Sequence, residues 1–377
     1  MKQDKEGFYY PCVNKQVCVD CHLCERVCPV SHPAEQSDYT REVFVCQNRE
    51  EKIRKDSTSG GAFSAIAKYV FDRGGVVFGA AFDDQFCVVH KAVDNYDDLN
   101  MLRGSKYVQS TLGSAFSMVK KLLNEGRLVC YSGTPCQIEG LNSYLQRSYD
   151  NLILVDLVCY SISSPLVWKQ YLRLLEKKKK ITLDQIDKIK FRDKNPYGYE
   201  YTLMSFYDKQ GNICYSSGPE SNEMLRSFVS NTSTRPSCYK CRFKKTNRVS
   251  DFTIWDCYNI YHYDKKMDDN LGSSHIMVHT QKGKEILKNM ALNSLKLKKA
   301  DVEFAVNSEP AMTQCALPGK NRREFFAMIA ETHDGEALAQ FFPMSMKVKT
   351  ERILRESLSK INLYRFVKRV AITLFKK

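Results

Sequence analysis

The stretch Leu128-Val129-Cys130-Tyr131-Ser132-Gly133-Thr134-Pro135-Cys136-Gln137 reads as a strand running into a helix. Leu128–Tyr131 is a short apolar run. After the turn, Pro135 falls in the first helical turn, where a missing N–H is harmless. Strand–turn–helix units build open α/β sheets. Leu152–Val158 supplies the next strand and places Cys159 at its carboxyl end. Cys136 opens a helix, where the dipole favours a thiolate. The two thiols therefore fall in consecutive loops on the sheet edge at which α/β proteins bind ligands. The expected fold class is α/β, with a mixed sheet core.

Upstream, Val76–Phe82 reads as a buried strand and Cys87–Val93 as its hairpin partner. The turn Ser57-Thr58-Ser59-Gly60-Gly61 opens a helix with Ala62, Ile66, Tyr69 and Val70 at helical spacing, stopped at Gly74-Gly75. Its free N–H groups suit an anion, although an ordinary N-cap has the same sequence. Arg103-Gly104-Ser105-Lys106-Tyr107-Val108-Gln109-Ser110 is polar and cationic. Such a loop can hold a phosphate by Lys and Ser and lay Tyr107 against a ring. A helix through Met118, Leu122 and Leu123 ends near Gly126. Downstream, the pattern predicts a helix over 165–175, antiparallel strands within 186–216, a helix over 223–230, a strand at Phe252–Trp255 and a mostly helical 282–341.

Cys18, Cys21, Cys24 and Cys28, followed by Pro29, form C-x2-C-x2-C-x3-C-P, the spacing of a bacterial ferredoxin cluster. No second such run is present. Cys28 is the simplest fourth ligand, with Cys12 and Cys46 as alternatives. Cys238 and Cys241 form a separate C-x2-C among Arg235, Lys240, Arg242, Lys244 and Lys245. A pair of this kind can be half a zinc site or a redox dithiol.

The 377 residues are 43% hydrophobic and 11% aromatic, enough for a packed core. The 15 cysteines lack the spacing of a secreted disulfide scaffold. The charged N-terminus has no signal-peptide core, and no apolar run has the length of a membrane span. The expected location is the cytoplasm. More than half of the +14 net charge sits in 347–377, where cations alternate with Ile353, Leu354, Leu358, Ile361, Phe366 and Val370. This reads as a basic helix that lies peripherally on an anionic membrane, docks on a partner or packs on its own domain. With the cations so confined and no recognisable nucleic-acid fold, nucleic-acid binding is not expected. No dinucleotide fingerprint, P-loop or zinc-protease helix appears.

Taken in order, Ser59-Gly60-Gly61, Arg103 to Ser110, Gly133-Thr134-Pro135-Cys136-Gln137, Asp156–Cys159, Phe191-Arg192-Asp193-Lys194, Arg235-Pro-Ser-Cys-x-x-Cys and Asn247-Arg248-Val249-Ser250-Asp251 resemble the coenzyme F-420 hydrogenase/dehydrogenase beta-subunit family. The resemblance covers about residues 8–290 and implies an iron–sulfur flavoprotein oxidoreductase. It implies flavin contacts, with FAD expected, at Ser59, Gly60, Gly61, Arg103, Gly104, Ser105, Lys106, Tyr107, Gln109, Ser110, Gly133, Thr134 and Pro135. It implies a second 4Fe-4S cluster on Cys136, Cys159, Cys238 and Cys241. Electrons would come from ferredoxin or a partner subunit and reach a small organic acceptor. Bacterial members resembling this chain lie in surface-polysaccharide gene clusters. The alternative is an electron-transfer or accessory subunit without its own substrate site. The implied division is a ferredoxin-type segment over 1–50, a flavin and iron–sulfur domain over 51–290 and a helical C-terminal region over 291–377. Two features depart from the family: a single ferredoxin-type run instead of two, and Cys159-Tyr160-Ser161 where relatives often have Cys-His-Gly.

Overall fold

The computed structural model describes residues 1–34, 41–179 and 181–375. Lys180 of the 177–180 charge run, and Lys376 and Lys377 of the basic tail, lie outside them. Among the described residues thirteen strands form three sheets. β1 (Lys2–Gln3) and β2 (Tyr9–Tyr10) make an N-terminal hairpin. The central sheet contains β3 (Glu42–Asn48), β4 (Val76–Phe82), β5 (Val88–Val93), β6 (Val129–Gly133), β7 (Leu152–Leu157), β11 (Phe252–Asp256), β12 (Ser274–Val278) and β13 (Leu295–Ala300). β8 (Ile186–Asp193), β9 (Leu203–Asp208) and β10 (Ile213–Ser217) form an antiparallel sheet.

The central order is β13-β3-β12-β11-β7-β6-β4-β5. Its middle, β4, β6, β7 and β11, is parallel, and antiparallel strands flank it on both sides. Successive strand residues point to opposite faces, so the apolar runs serve two cores. Val77, Ala81, Cys130, Ile153 and Val155 pack under helices Ala62–Phe71 and Gln281–Asn293. Val76, Phe78, Val129, Tyr131, Leu152 and Leu154 pack under helices Ala115–Asn124 and Pro135–Leu145. This explains strands that are apolar throughout rather than alternating. A third core joins helix Pro165–Lys179 to the small sheet and to helices Arg322–Glu331 and Glu336–Phe341.

The structure differs from the sequence reading in three places. The region expected to be mostly helical contains β13, which pairs with β3 from Leu295↔Asn48 to Ala300↔Val43. The helix after Ser114 buries Ala115, Val119 and Leu123, while Met118 is exposed. The basic tail forms two helices, Met346–Lys360 and Tyr364–Phe375, separated at Asn362, whose φ is 57°.

Three histidines are enclosed in this framework. Burial pulls the pKa of His90 and His275 down to about 4 and that of His279 to about 3. A depressed base gives stability that is present above its unfolded value of about 6.5 and lost as pH falls through the folded value. The melting temperature should therefore fall steadily from about pH 6.5 toward pH 4. His279→Gln, which keeps a partner for the Thr253 hydroxyl (2.8 Å), should make that fall shallower. An identical pH profile in the variant would show that His279 carries none of it.

Candidate functional site

The parallel strands end together along one edge, and there a cavity of about 1010 Å³ opens. Of the thirteen residues expected to contact flavin, ten line it: Ser59, Gly61, Gly104, Ser105, Lys106, Tyr107, Gln109, Ser110, Gly133 and Thr134. Three do not. Gly60 lies where a side chain would meet the Cys46 carbonyl and the Ser274 N–H at 2.5 Å, so it permits close packing. Arg103 donates to Ser64 (3.0 Å) and Asn100 (2.6 Å). Pro135 is buried as the first residue of its helix.

Side chains tie the loops around the cavity. Thr58 accepts from the Ser105 N–H at 3.0 Å, joining the Ser-Gly-Gly turn to the cationic loop. Lys194 holds that turn from behind, donating to the Arg54, Ser59 and Leu271 carbonyls at 2.6–2.7 Å. Gln137 accepts from the Thr134 N–H (3.0 Å) and donates to Ser110 (2.8 Å). Gln109 accepts from the Tyr9 N–H and donates to its carbonyl, so its amide acts as an extra rung for the N-terminal hairpin. Tyr107 stacks on Phe228 with centroids 4.5 Å apart.

Among the described residues Lys106 has no carboxylate partner. Its ammonium donates to the Arg103 and Gly104 carbonyls. Burial, and then Lys188, lower its pKa to about 7. An anion beside it would favour the charged form. Three cavity-lining side chains also have a buried polar atom without a partner: His90 Nδ1, Arg235 Nε and Trp255 Nε1. The site is therefore equipped for a polar, anionic ligand.

The thiols fall into two groups. Cys136 and Cys159 line the cavity, and Cys238 and Cys241 stand beside them. The surrounding protein raises the pKa of all four, to about 12 at Cys238 and further still at Cys159. The neighbouring thiols add to the rise at Cys159, Cys238 and Cys241. Cys136 is exposed on the cavity wall, yet the protein around it raises its pKa, against the helix-end effect expected from sequence. Cys315 joins this group with Sγ 3.6 Å from the Cys241 carbonyl, and no motif marks it in the sequence. Among the described residues no three His, Cys, Asp or Glu side chains converge on one metal position. A cubane differs from a single ion in spreading its thiolates over separate corners.

In the second group, Cys18, Cys21 and Cys24 are exposed and Cys28 is half-buried. The loop around them turns through Asp20 and His22, both left-handed. A hydrogen bond from the Ser31 backbone lowers the Cys28 pKa. Arg242 donates to the Val30 carbonyl at 2.8 Å, and a Cβ on Gly140 would lie 4.0 Å from the Pro29 ring. The loop thus rests on the helix that begins beside Cys136.

The structure adds Arg192, Asp256, Tyr258 and Glu309 to the cavity wall. Arg192 pairs with Asp256 at 2.6 Å. Glu309 is raised by burial and by Asp256, against the pull of the Ala311 N–H, Lys244 and Arg192. Arg192 lies in a stretch already singled out, and Asp256 directly follows the expected strand Phe252–Trp255. Glu309 has no local signal, because only the fold brings it here. Gln137→Ala should loosen the site, since it strips partners from Thr134 and Ser110. The expected loss is about 1–3 kcal/mol in denaturant unfolding, with easier proteolysis of the 103–110 loop. Unchanged unfolding and proteolysis would show that the tie is dispensable.

Comparison with known families matches residues 43–117 to the N-terminal part and residues 126–303 to the C-terminal part of the coenzyme F420 hydrogenase/dehydrogenase beta subunit. No curated protein matches the sequence. Among solved structures, the chain is similar to one from the F420-reducing [NiFe] hydrogenase complex of Methanosarcina barkeri, at 16% identity and a TM-score of 0.46, over 82% of this chain and 94% of that one. The two family matches together span most of the central sheet and of the cavity wall, and Cys136, Cys159, Cys238 and Cys241, and the chain belongs to the coenzyme F420 hydrogenase/dehydrogenase beta-subunit family, whose members are oxidoreductase subunits that transfer electrons.

Proposed function

We propose that this chain is an iron–sulfur flavoprotein oxidoreductase, passing electrons from a 4Fe-4S cluster through flavin to a small organic acceptor. One observation carries the reading: the loops read as flavin contacts and two of the thiols read as cluster ligands open onto the same cavity. Its volume of about 1010 Å³ is at the upper end of the range for small-molecule sites. In this proposal Cys18, Cys21, Cys24 and Cys28 hold one cluster, and Cys136, Cys159, Cys238 and Cys241 hold another. Thiols that raise one another's pKa are relieved when a metal cluster draws off their charge.

When bound, clusters would supply single electrons and a flavin would pair them for hydride chemistry. The chain's own residues bind and orient. Lys106 takes a phosphate or ring anion, becoming fully charged as it does so. Tyr107, held against Phe228, walls one side. Glu309 and Tyr258 are the cavity groups placed to exchange a proton, where relatives often have a histidine beside the Cys159 position. The donor is ferredoxin or a partner subunit, the location is cytoplasmic with the basic tail available to a membrane surface, and the acceptor class follows the resemblance toward surface-polysaccharide metabolism. The second reading, an electron-transfer subunit without a substrate site, is favoured by the exposure of Cys18, Cys21 and Cys24, where a protein partner could meet them.

Protein purified without oxygen should contain about eight irons and one flavin. Cys238→Ser should lose about half the iron while keeping the flavin. Unchanged iron in a folded variant would remove the inner cluster from the proposal. Iron without flavin would favour the second reading, and neither cofactor after reconstitution would overturn both.

A further inference from the structure

The two C-terminal helices have their polarity turned inside out. Lys368 and three arginines face the protein: Lys368 pairs with Glu200 at 2.8 Å, Arg365 and Arg369 both pair with Asp268, and Arg355 comes within 3.9 Å of Glu220. Within the first helix Arg352 pairs with Glu356 at 2.7 Å and Arg355 with Glu351 at 2.6 Å. Their large apolar residues face solvent. Ile353 is 64% exposed, Ile361 62% and Phe366 65%. From Leu363, just before the last helix, to Phe366, Val367 and Val370 within it, apolar residues recur at i, i+3, i+4 and i+7, the spacing of a single helical face, and all four are exposed. Surface helices normally turn such a stripe toward a core. A contiguous exposed stripe marks a contact surface.

The charges on the outward side indicate what covers it. Lys347, Lys349 and Lys360 are exposed there, while both carboxylates of the segment, Glu351 and Glu356, are half-buried and engaged by arginines. The outward side is apolar and cationic with no carboxylate of its own. A second copy of the same surface would set lysines against lysines. An apolar stripe edged by lysines instead matches a bilayer interface bearing anionic headgroups. Among the described residues no helix is long and apolar enough to cross a membrane, so the contact is made from one side.

We propose that helices Met346–Lys360 and Tyr364–Phe375 form a foot that seats this protein on an anionic bilayer surface, with Phe366 and its stripe entering the headgroup layer and Lys347, Lys349 and Lys360 meeting lipid phosphates. The inference does not depend on which cofactors the cavity holds. Full-length protein should co-sediment with phosphatidylglycerol/phosphatidylcholine vesicles at least tenfold more than with phosphatidylcholine alone, and the difference should shrink in high salt. Phe366→Asp with Val370→Asp, both at exposed positions, should abolish sedimentation while leaving circular dichroism and melting unchanged. Lys347→Glu with Lys349→Glu, which leaves the stripe intact, should weaken it severalfold. Equal binding to both vesicle types, or binding indifferent to Phe366→Asp, would overturn the proposal. So would wild-type protein that ignores vesicles and instead forms a dimer or binds an acidic protein through Phe366.

Discussion

Asp251 fixes where β11 begins. Its backbone N–H donates to the Leu154 carbonyl at 2.8 Å and its carboxylate accepts from the Leu154 N–H at 2.9 Å. The same carboxylate accepts from Thr280 at 2.6 Å, and the Asp251 carbonyl accepts from the His279 N–H. One residue therefore locks β11 against β7 and starts the helix behind them. The register that follows, Phe252↔Val155 to Ile254↔Leu157, decides the site. A slip by one residue would exchange the faces of Ile254 and Trp255. It would also carry Asp256 away from Arg192. Directly behind, Arg248 and Ser250 meet Asp156 in the interior. Burial pushes that carboxyl up while Arg248 pulls it down. Removing either partner would leave the other charge enclosed, which destabilises far more than the pair itself stabilises.

A framework held this firmly allows the cavity walls to be loops. Each loop is tied by a side chain that substitutes for a missing backbone partner: Lys194 under the Ser59 turn, Gln109 beside Tyr9, Gln137 between Thr134 and Ser110. These ties bear on binding because a site works only when its donors are already in place. They also give several motif residues a structural meaning. Gln109 spends its amide on the hairpin, Gly60 is small so that two strands can approach, and Lys194 donates only to carbonyls among the described contacts. Lys106 and Arg235 are cavity cations without a carboxylate partner among the described residues.

The parallel middle of the sheet was legible because its strands are apolar on both faces and each is punctuated by a turn and a helix start. β3, β12 and β13 were not. Their pairing joins residues about 250 apart in the chain, and Leu295-Lys-Leu-Lys-Lys-Ala reads as the end of a helix until β3 is beside it. As an edge strand it buries Leu295 and Ala300 and exposes lysines, a common guard against edge pairing. The ferredoxin-type spacing and the two βα thiols were legible as chemistry. Glu309 and Cys315 were not, since each reaches the site from beyond the last sheet strand. Cys136 shows the limit of local reasoning: a helix end favours a thiolate, but the surrounding protein shifts this exposed thiol the other way.

The placement of the N-terminal loop gives the proposed function a direction. Pro29 lies against Gly140, one turn beyond Cys136 in the helix Pro135–Leu145, and Arg242, next to Cys241, grips Val30. The same short segments therefore touch both thiol groups. Cys18, Cys21 and Cys24 are exposed outside the cavity, whereas Cys136, also exposed, and half-buried Cys159 face into it. Electrons arriving from another protein would meet the exposed group first, and only the inner group adjoins the space for an organic ligand. The basic residues between the groups, Arg235, Lys244 and Lys245, then have a role beyond solubility. Lys244 donates to the Cys159 and Ala311 carbonyls, and Lys245 pairs with buried Glu139 at 2.6 Å, so neither is a free surface charge. They stand where two sets of thiolates would concentrate negative charge, and fixed cations in a partly desolvated layer offset such charge more effectively than mobile ions can.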